Sequence, residues 1–150
     1  MLTTIEKILL LNKIELFNTS TPDALVYLAQ IAEEKAFDKG QTMLEEGITS
    51  DGLYIVVEGE ISLIRNAVEV EVLKAGEIIG IWALFDEEPW PYAAASKTRA
   101  VVLIIHRNEF YDLLDDYPEI SQGIFKALSR RIRSLVEQLD DGTHERNKRT

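Results

Sequence analysis

The chain has 150 residues, a formal net charge of −10 at pH 7 and no cysteine. This length is enough for one domain with a core of its own, and no second globular domain is expected. The net negative charge argues against nucleic acid and anionic lipid as partners, because both are polyanions. The lack of cysteine excludes disulfides, thiolate zinc sites and thiol catalysis, and it is compatible with the reducing cytoplasm, the location that we predict.

Membrane insertion and secretion are not expected either. The longest nearly continuous apolar run, residues 78–85, is far shorter than the ~20 residues that a membrane-spanning helix needs. The N-terminus also lacks a basic stretch followed by an apolar core, which is the pattern of a secretory leader. We therefore expect neither a membrane helix nor a cleaved leader.

Two helices are predicted at the N-terminus. Residues 3–6 have the spacing of a capping box, and apolar residues then recur at helical intervals to about Leu11. Thr21 followed by Pro22 is typical of an N-cap with proline in the first turn, and a second apolar stripe follows. We place both helices within residues 3–33.

From residue 34 to residue 106 the pattern changes to short strands. Turn pairs such as Asp51-Gly52 and Glu58-Gly59 separate runs that are rich in β-branched residues. Residues 68–72 alternate valine with glutamate, so one face of that strand should point inward, while residues 100–105 suit a strand buried on both faces. About seven or eight such strands predict an antiparallel β-roll, a jelly-roll-like double-stranded β-helix.

Two further helices, over residues 108–139, are predicted after the roll. Asn108 has the position of an N-cap, and Pro118 starts a longer helix. An Asp-Asp-Gly sequence should end that helix, leaving residues 140–150 as a flexible tail. The prediction is an α+β fold with one domain over residues 1–139. Apolar residues line up along the last helix, which suits packing on the roll or a seam with a second copy, at Ile120, Ile124, Leu128, Ile132, Leu135 and Leu139.

The segment from Lys74 to Ala93 is the candidate functional site. Two glycines four positions apart, a short apolar turn, an acidic loop and two prolines lie between strand-like runs. Such a segment is typical of a backbone that folds around a pocket. The candidate pocket residues are Gly76, Ile79, Gly80, Ile81, Trp82, Ala83, Leu84, Trp90, Tyr92 and Ala93.

Three sequence blocks resemble, in order and interval, those of the cyclic-nucleotide-binding domain family, which includes bacterial catabolite activators and kinase regulatory subunits. The blocks are residues 50–61, residues 76–84 with Glu88-Pro89-Trp90, and residues 106–110, and the resemblance covers roughly residues 5–135. It implies a β-roll with a phosphate-binding cassette, in which a short helix beginning beside a glycine offers backbone N–H groups to the cyclic phosphate. A cyclic nucleotide is the ligand that the resemblance implies, and no other cofactor is predicted.

Two functional positions of the cassette differ from the family pattern. That pattern reads Phe-Gly-Glu-x-Ala-Leu and then Pro-Arg, with the Glu on the ribose hydroxyl and the Arg on the phosphate. The glycine and the Ala-Leu pair are present here, but Ile81 stands at the Glu position and Trp90 at the Arg position. A register shifted by two residues would place Tyr92 at the Arg position, which restores no charge. We therefore hypothesise that the domain binds cyclic AMP or cyclic GMP weakly or not at all.

The glycines and tryptophans of this segment leave several interpretations open. Gly76 and Gly80 are either remnants of an anion cradle or the glycines that tight turns require. Trp82 and Trp90 either stack on a base, line a pocket for an apolar ligand, or fill the space of a lost ligand.

Other polar residues receive structural interpretations. His106 is predicted at the rim of the roll and His144 in the tail, and neither has a metal-ligand set of recognised spacing around it. Arg130, Arg131 and Arg133 should face solvent or complement the C-terminal half of the last helix.

The sequence thus predicts a non-enzymatic regulatory or sensor domain with a degenerate cassette, whose C-terminal helices transmit the signal. The alternatives are a ligand-free interaction or dimerisation domain and a sensor of a different, apolar small molecule. Two histidines and no cysteine assemble no catalytic triad, dyad or metal centre. The expected partners are an unidentified small molecule or none, a second copy of the chain, or further domains of a larger protein.

Overall fold

The computed structural model describes the backbone of residues 1–149 and the side chains of residues 1–142. Two antiparallel four-stranded sheets form a roll, and helices precede and follow it, which confirms the predicted α+β fold. The elements are α1 (Thr4–Lys13), α2 (Pro22–Ile31), β1 (Glu33–Phe37), β2 (Thr42–Leu44), β3 (Gly52–Glu58), β4 (Ile61–Arg65), β5 (Val68–Leu73), β6 (Ile78–Ile79), a 3₁₀ helix (Ile81–Leu84), β7 (Ala93–Ser96), β8 (Ala100–His106), α3 (Arg107–Asp116) and α4 (Glu119–Arg149).

Both N-terminal helices begin at the predicted caps. The Thr3 hydroxyl accepts the N–H of Glu6 at 3.2 Å, and Thr21 accepts the N–H of Ala24 at 3.3 Å, so each satisfies a backbone donor that the first turn leaves free. Helix α2 ends at Ile31, and Ala32 is its C-cap residue. Strand β1 begins directly afterwards, so the helical region ends slightly earlier than residue 33.

The two sheets have the strand orders β1-β8-β3-β6 and β2-β7-β4-β5. Strand β8 pairs with β1 on one side and β3 on the other, for example through Leu53 opposite Ile105. Its apolar run is nearly all buried, as the dense β-branched sequence predicted, because helices cover one face of the sheet and the roll interior covers the other.

Two apolar clusters hold the fold together. One lies between the helices and the first sheet and includes Phe17, Leu28 and Phe110, and the other lies inside the roll. Trp82 packs against both clusters. The short helix that follows β6 is therefore anchored where the helical layer meets the roll.

Strand β5 places Glu71, rather than a valine, opposite the buried Leu63 of the second sheet. Glu71 lies opposite Leu63, and directly opposed residues of an antiparallel pair share a face. Leu63 is buried, whereas Val68 and Val70 are exposed. The predicted alternation is broken by a register shift, after which Glu69 lies opposite Ile64 and accepts the Ser62 hydroxyl, so no single face of this edge strand carries all its valines.

Two details of the C-terminal helices differ from the predictions. Helix α3 begins at Arg107, its N-cap residue is His106, and no side chain caps it, so the cap predicted at Asn108 is wrong. The helix starts there because strand β8 runs directly into it.

Helix α4 continues to Arg149, so the predicted helix end at residue 139 is also wrong. A single glycine costs a helix only about 1 kcal/mol, and the residues beyond it include good helix formers. The predicted tail, residues 140–150, lies outside the described side chains from residue 143 onward, and residue 150 lies outside the described backbone.

Candidate functional site

The candidate site is built around the turn at Gly80. This glycine has φ 80° and ψ 42°, the left-handed conformation that favours glycine, and it is the N-cap residue of the 3₁₀ helix. The Ala83 N–H donates to the Gly80 carbonyl at 2.9 Å, which closes the turn. A helix of four residues has only a small dipole, so the turn by itself offers little attraction to an anion.

Trp90 occupies the space beside this turn. Its side chain is only 2% exposed, and a Cβ atom added at Gly80 would overlap the six-membered ring of the indole. Trp82 packs edge-on against it, with ring centroids 5.4 Å apart and planes at 66°. The position that the resemblance assigns to an arginine is therefore filled by an aromatic pair, with an arrangement that aromatic rings favour.

The aromatic pair leaves two polar groups unpaired. The indole Nε1 atoms of Trp82 and Trp90 are buried and find no acceptor among the described residues. A buried donor without an acceptor typically costs about 1–3 kcal/mol. The apolar packing around the two rings must therefore offset this cost.

Ile81 extends the apolar character along the turn. It is 9% exposed and belongs to the same cluster as Leu84, which is fully buried. An aliphatic side chain offers no acceptor to a sugar hydroxyl. Neither of the two positions that the resemblance assigns to a polar ligand is polar in this chain.

An open cleft nevertheless remains in front of the turn. Its volume is about 570 Å³, and its walls come from the end of α1, strands β4 and β5, the turn and helix α4. Among the predicted pocket residues, those that line it are Gly76, Ile79, Gly80, Ile81, Trp82 and Tyr92. Ala83, Leu84, Trp90 and Ala93 do not line it. Trp90 thus fills the roll behind the turn without closing the cleft.

Charged side chains also line this cleft, and none of them is among the predicted pocket residues. They are Lys13 and Arg131 from helices, Glu71 from β5, Glu77 before β6, and Glu15.

Two of the carboxylates have partners. Glu15 lies 3.4 Å from the guanidinium of Arg130, and Glu77 accepts the backbone N–H of Lys74 at 2.7 Å. The side chains of Lys13, Glu71 and Arg131 make no hydrogen bond or ion pair within the described part of the chain. Their positions depend on the packing of distant elements, so no sequence pattern marks them.

Arg107 connects the turn to helix α3. Its Nε donates to the carbonyl of Ala83 at 2.7 Å, and its Nη2 donates to the carbonyls of Ser50 at 3.3 Å and Asp86 at 3.0 Å. The side chain is 19% exposed, and Nη1 lies 3.5 Å from the Glu87 carboxylate. Charge-assisted bonds of this kind are among the stronger ones in proteins. Sequence reasoning used this arginine only as part of a family block and missed its role.

His106 precedes this arginine and lies at the rim, as predicted. Its Nε2 is 3.0 Å from Glu33 Oε2, and its Nδ1 is 3.4 Å from Asp51 Oδ1. The hydrogen bond to Glu33 is the main reason that the pKa of His106 is raised above its ordinary value, and Asp51 adds to the effect. Over the residues with described side chains, no group of three or more acids and histidines is arranged to hold a metal ion.

Helix α4 changes character along its length. Ile124 is buried against the domain and Leu128 is partly buried. Ile132, Leu135 and Leu139 are 62%, 59% and 72% exposed. The helix therefore packs on the domain up to Leu128, and its apolar side chains between residues 132 and 139 are exposed.

Comparison with known proteins identifies the family. The profile of the cyclic nucleotide-binding domain matches residues 34–117, more than half of the chain. The chain belongs to the cyclic nucleotide-binding domain family. A CRP-like cAMP-activated global transcriptional regulator of Mycobacterium tuberculosis is 26% identical over 131 residues, which cover 84% of this chain and 58% of that protein. A cAMP-dependent protein kinase regulatory subunit of Aspergillus niger is 28% identical, covering 73% of this chain and 27% of that protein.

Solved structures agree with this assignment. The N-terminal domain of a transcriptional regulator from Streptomyces coelicolor has a TM-score of 0.76 and 26% identity, covering 84% of this chain and 94% of that chain. A cyclic nucleotide-binding-like protein from Brucella abortus has a TM-score of 0.67 and 29% identity, covering 73% and 97%. The catabolite activator protein of Thermus thermophilus, at 22% identity and a TM-score of 0.73 with 84% and 62% covered, shares the fold.

The named relatives are transcriptional regulators and kinase regulatory subunits, and this chain is a regulatory domain of their superfamily. The chain spans about three fifths of the mycobacterial regulator and about a quarter of the kinase subunit. In the described part of the chain, no helix combines the length and the apolar character that crossing a membrane requires.

Proposed function

We propose that this domain keeps the regulatory fold of its family but does not bind cyclic AMP or cyclic GMP with micromolar affinity. The observation that carries the proposal is the buried indole of Trp90 against Gly80. A cyclic phosphate at this turn would meet an aromatic ring instead of a guanidinium, and the acidic loop at residues 86–88 lies close by in sequence. Each lost charge-assisted hydrogen bond typically removes about 1.5–3 kcal/mol.

The ribose of a cyclic nucleotide would also lose a polar partner at this turn. Ile81 stands where the family pattern has a glutamate, so a ribose hydroxyl would lose its acceptor in a largely apolar wall. Because about 1.4 kcal/mol corresponds to a tenfold change in affinity, two such losses are enough to weaken binding by several orders of magnitude.

Calorimetric titration of the domain with cyclic AMP and cyclic GMP tests this proposal. The mycobacterial relative, which is named as cAMP-activated, serves as the positive control. We expect no saturable heat with either nucleotide at about 100 µM, a concentration at which a micromolar site would be filled. A dissociation constant of about 10 µM or tighter for either nucleotide would contradict the proposal.

A second candidate function is dimerisation through the outer half of α4. Ile132, Leu135 and Val136 are 62%, 59% and 51% exposed and follow one another at the spacing of a helical stripe. A self-complementary seam between two copies of this helix would cover all three side chains. Arg107 connects the Gly80 turn to α3, which leads into α4, so a change at the cleft has a physical route to such a seam.

Light scattering over a range of protein concentrations tests the seam. We expect a concentration-dependent dimer, a monomer for Leu135→Glu, and an unchanged dimer for Ser134→Glu. The serine variant is the matched control, because it adds the same charge at a neighbouring exposed position of the helix. A wild-type chain that stays monomeric at about 500 µM would rule out this function, since even a weak seam should then associate.

A further inference from the structure

We propose that the cleft in front of the Gly80 turn binds a small amphipathic monoanion, an organic carboxylate with an apolar body. Its apolar body would lie toward the turn and its carboxylate toward the helices. The inference rests on the proposed function, because a pocket for cyclic nucleotides would need its anion-binding group at the turn instead. The anion-binding end of the cleft would thus lie at the helices, whereas the family pattern places it at the turn.

The wall near the turn is suited to an apolar body. Ile79, Ile81 and Trp82 lie along the turn, and Leu63 and Leu73 face them from the second sheet. A volume of about 570 Å³ falls within the usual range of small-molecule sites. Apolar walls with a few polar groups at one end are the common design of such sites.

The cations of the cleft come from helices rather than from the turn. Lys13 is the last residue of α1, and Arg131 lies on the part of α4 that borders the cleft. Neither side chain has a partner among the described residues, unlike the neighbouring Arg130, which lies 3.4 Å from Glu15. A carboxylate shared between a guanidinium and an ammonium would satisfy both.

The carboxylates of the cleft restrict the charge of the ligand. Arg130 compensates Glu15, whereas Glu71 and Glu77 have no cationic partner among the described residues. The lining of the cleft therefore carries two cations and two carboxylates without a cationic partner among the described residues. One negative charge placed between Lys13 and Arg131 is compatible with this set of charges. A multiply charged phosphate would extend toward Glu71 and Glu77, and their carboxylates would repel it.

Three matched probes test this inference, namely octanoate, octanol and octylamine, which share a chain length and differ in charge. Trp82 lines the cleft, so its intrinsic fluorescence reports occupancy, and calorimetry provides an independent measurement. We expect octanoate to bind saturably and about tenfold more tightly than octanol, with octylamine weaker than octanoate. Arg131→Gln should reduce octanoate affinity about tenfold and leave octanol affinity unchanged, whereas Arg133→Gln, an exposed neighbour that does not line the cleft, should change neither.

The outcomes separate this inference from the proposed function. Equal affinities for octanoate and octanol, or wild-type octanoate affinity in a folded Arg131→Gln protein, would overturn the anion site. If none of the three probes binds saturably, the ligand class is wrong, while the proposal about cyclic nucleotides stands. Micromolar binding of cyclic AMP, measured separately, would overturn both.

Discussion

The Gly80 turn lies next to the Arg107 junction, by which we mean Arg107 and the carbonyls of Ser50, Ala83 and Asp86 that it contacts. The two regions are held together by opposite kinds of interaction. At the turn, two indoles pack at the position that the resemblance assigns to an arginine, and their N–H groups find no acceptor among the described residues. At the junction, a mostly buried guanidinium reaches three backbone carbonyls. One region is held by apolar packing, and the other is held by polar contacts.

This difference indicates that the frame of the site and its ligand chemistry are separable. Arg107 holds the end of the 3₁₀ helix through a backbone carbonyl, which does not depend on the side chains of the turn. The side chains at the turn can therefore change while the backbone keeps its path. Substitutions that act on one region and spare the other test this separation.

Gly80→Ala should have the largest effect. It places a side chain in a left-handed conformation and drives it into the buried ring of Trp90, so we expect the free energy of unfolding to fall by about 3–5 kcal/mol. Gly76→Ala is the matched control, because Gly76 has φ 89° but nothing within 4 Å of an added Cβ. Its cost should be about 1–2 kcal/mol, the usual penalty for a side chain in a left-handed conformation. Equal losses in urea denaturation would show that Trp90 does not pack tightly at the turn.

Arg107→Met should have the next largest effect. The substitution keeps an apolar stem but leaves three carbonyl acceptors without their donor, so we expect a loss of about 2–4 kcal/mol. Arg99→Met, which removes an exposed contact to Glu58 at 3.4 Å, should cost less than about 1 kcal/mol. Chemical denaturation of both variants gives the comparison, and a loss at Arg107 no greater than that at Arg99 would refute its role as a connector.

The smallest effect concerns His106 and pH. Because its pKa is raised in the folded state, chiefly by Glu33, its protonated form contributes stability that is fully present below the unfolded-state pKa of about 6.5. That contribution is lost as the pH rises through the folded-state pKa. The stability difference between wild type and His106→Gln should therefore be largest in mildly acidic buffer and shrink toward alkaline pH. Glu33→Gln should flatten this dependence, whereas a difference that grows with pH would contradict the assignment.

The sequence predicted the roll because its signals are local, while the assignment of Ile81 and Trp90 to two altered cassette positions, which also rests on local signals, stays a prediction. Alternating strands, turn pairs and block intervals are readable along the chain, and Ile81 and Trp90 are identified by counting from a neighbouring block. The orientation of residues 68–72 was harder to predict from the sequence, because Leu63 and Glu71 come to share a face only through the pairing of two strands.

The remaining parts of the site could not be predicted from sequence patterns. Arg107 acts on backbone carbonyls, which every residue carries, so no side-chain pattern marks its partners. Lys13 and Arg131 both line the cleft only after helices from opposite ends of the chain have packed on the roll. The end of α4 was also mispredicted, because an Asp-Asp-Gly sequence weakens a helix without having to end it.

The most direct test of the account is a cyclic AMP titration of wild type beside the double variant Ile81→Glu/Trp90→Arg. The variant restores both polar groups of the family pattern on a frame held by Arg107. We predict no saturable binding to wild type and a measurable affinity in the folded variant. Equal micromolar affinity in both proteins would contradict the central claim that packing has replaced cyclic-nucleotide binding at the Gly80 turn.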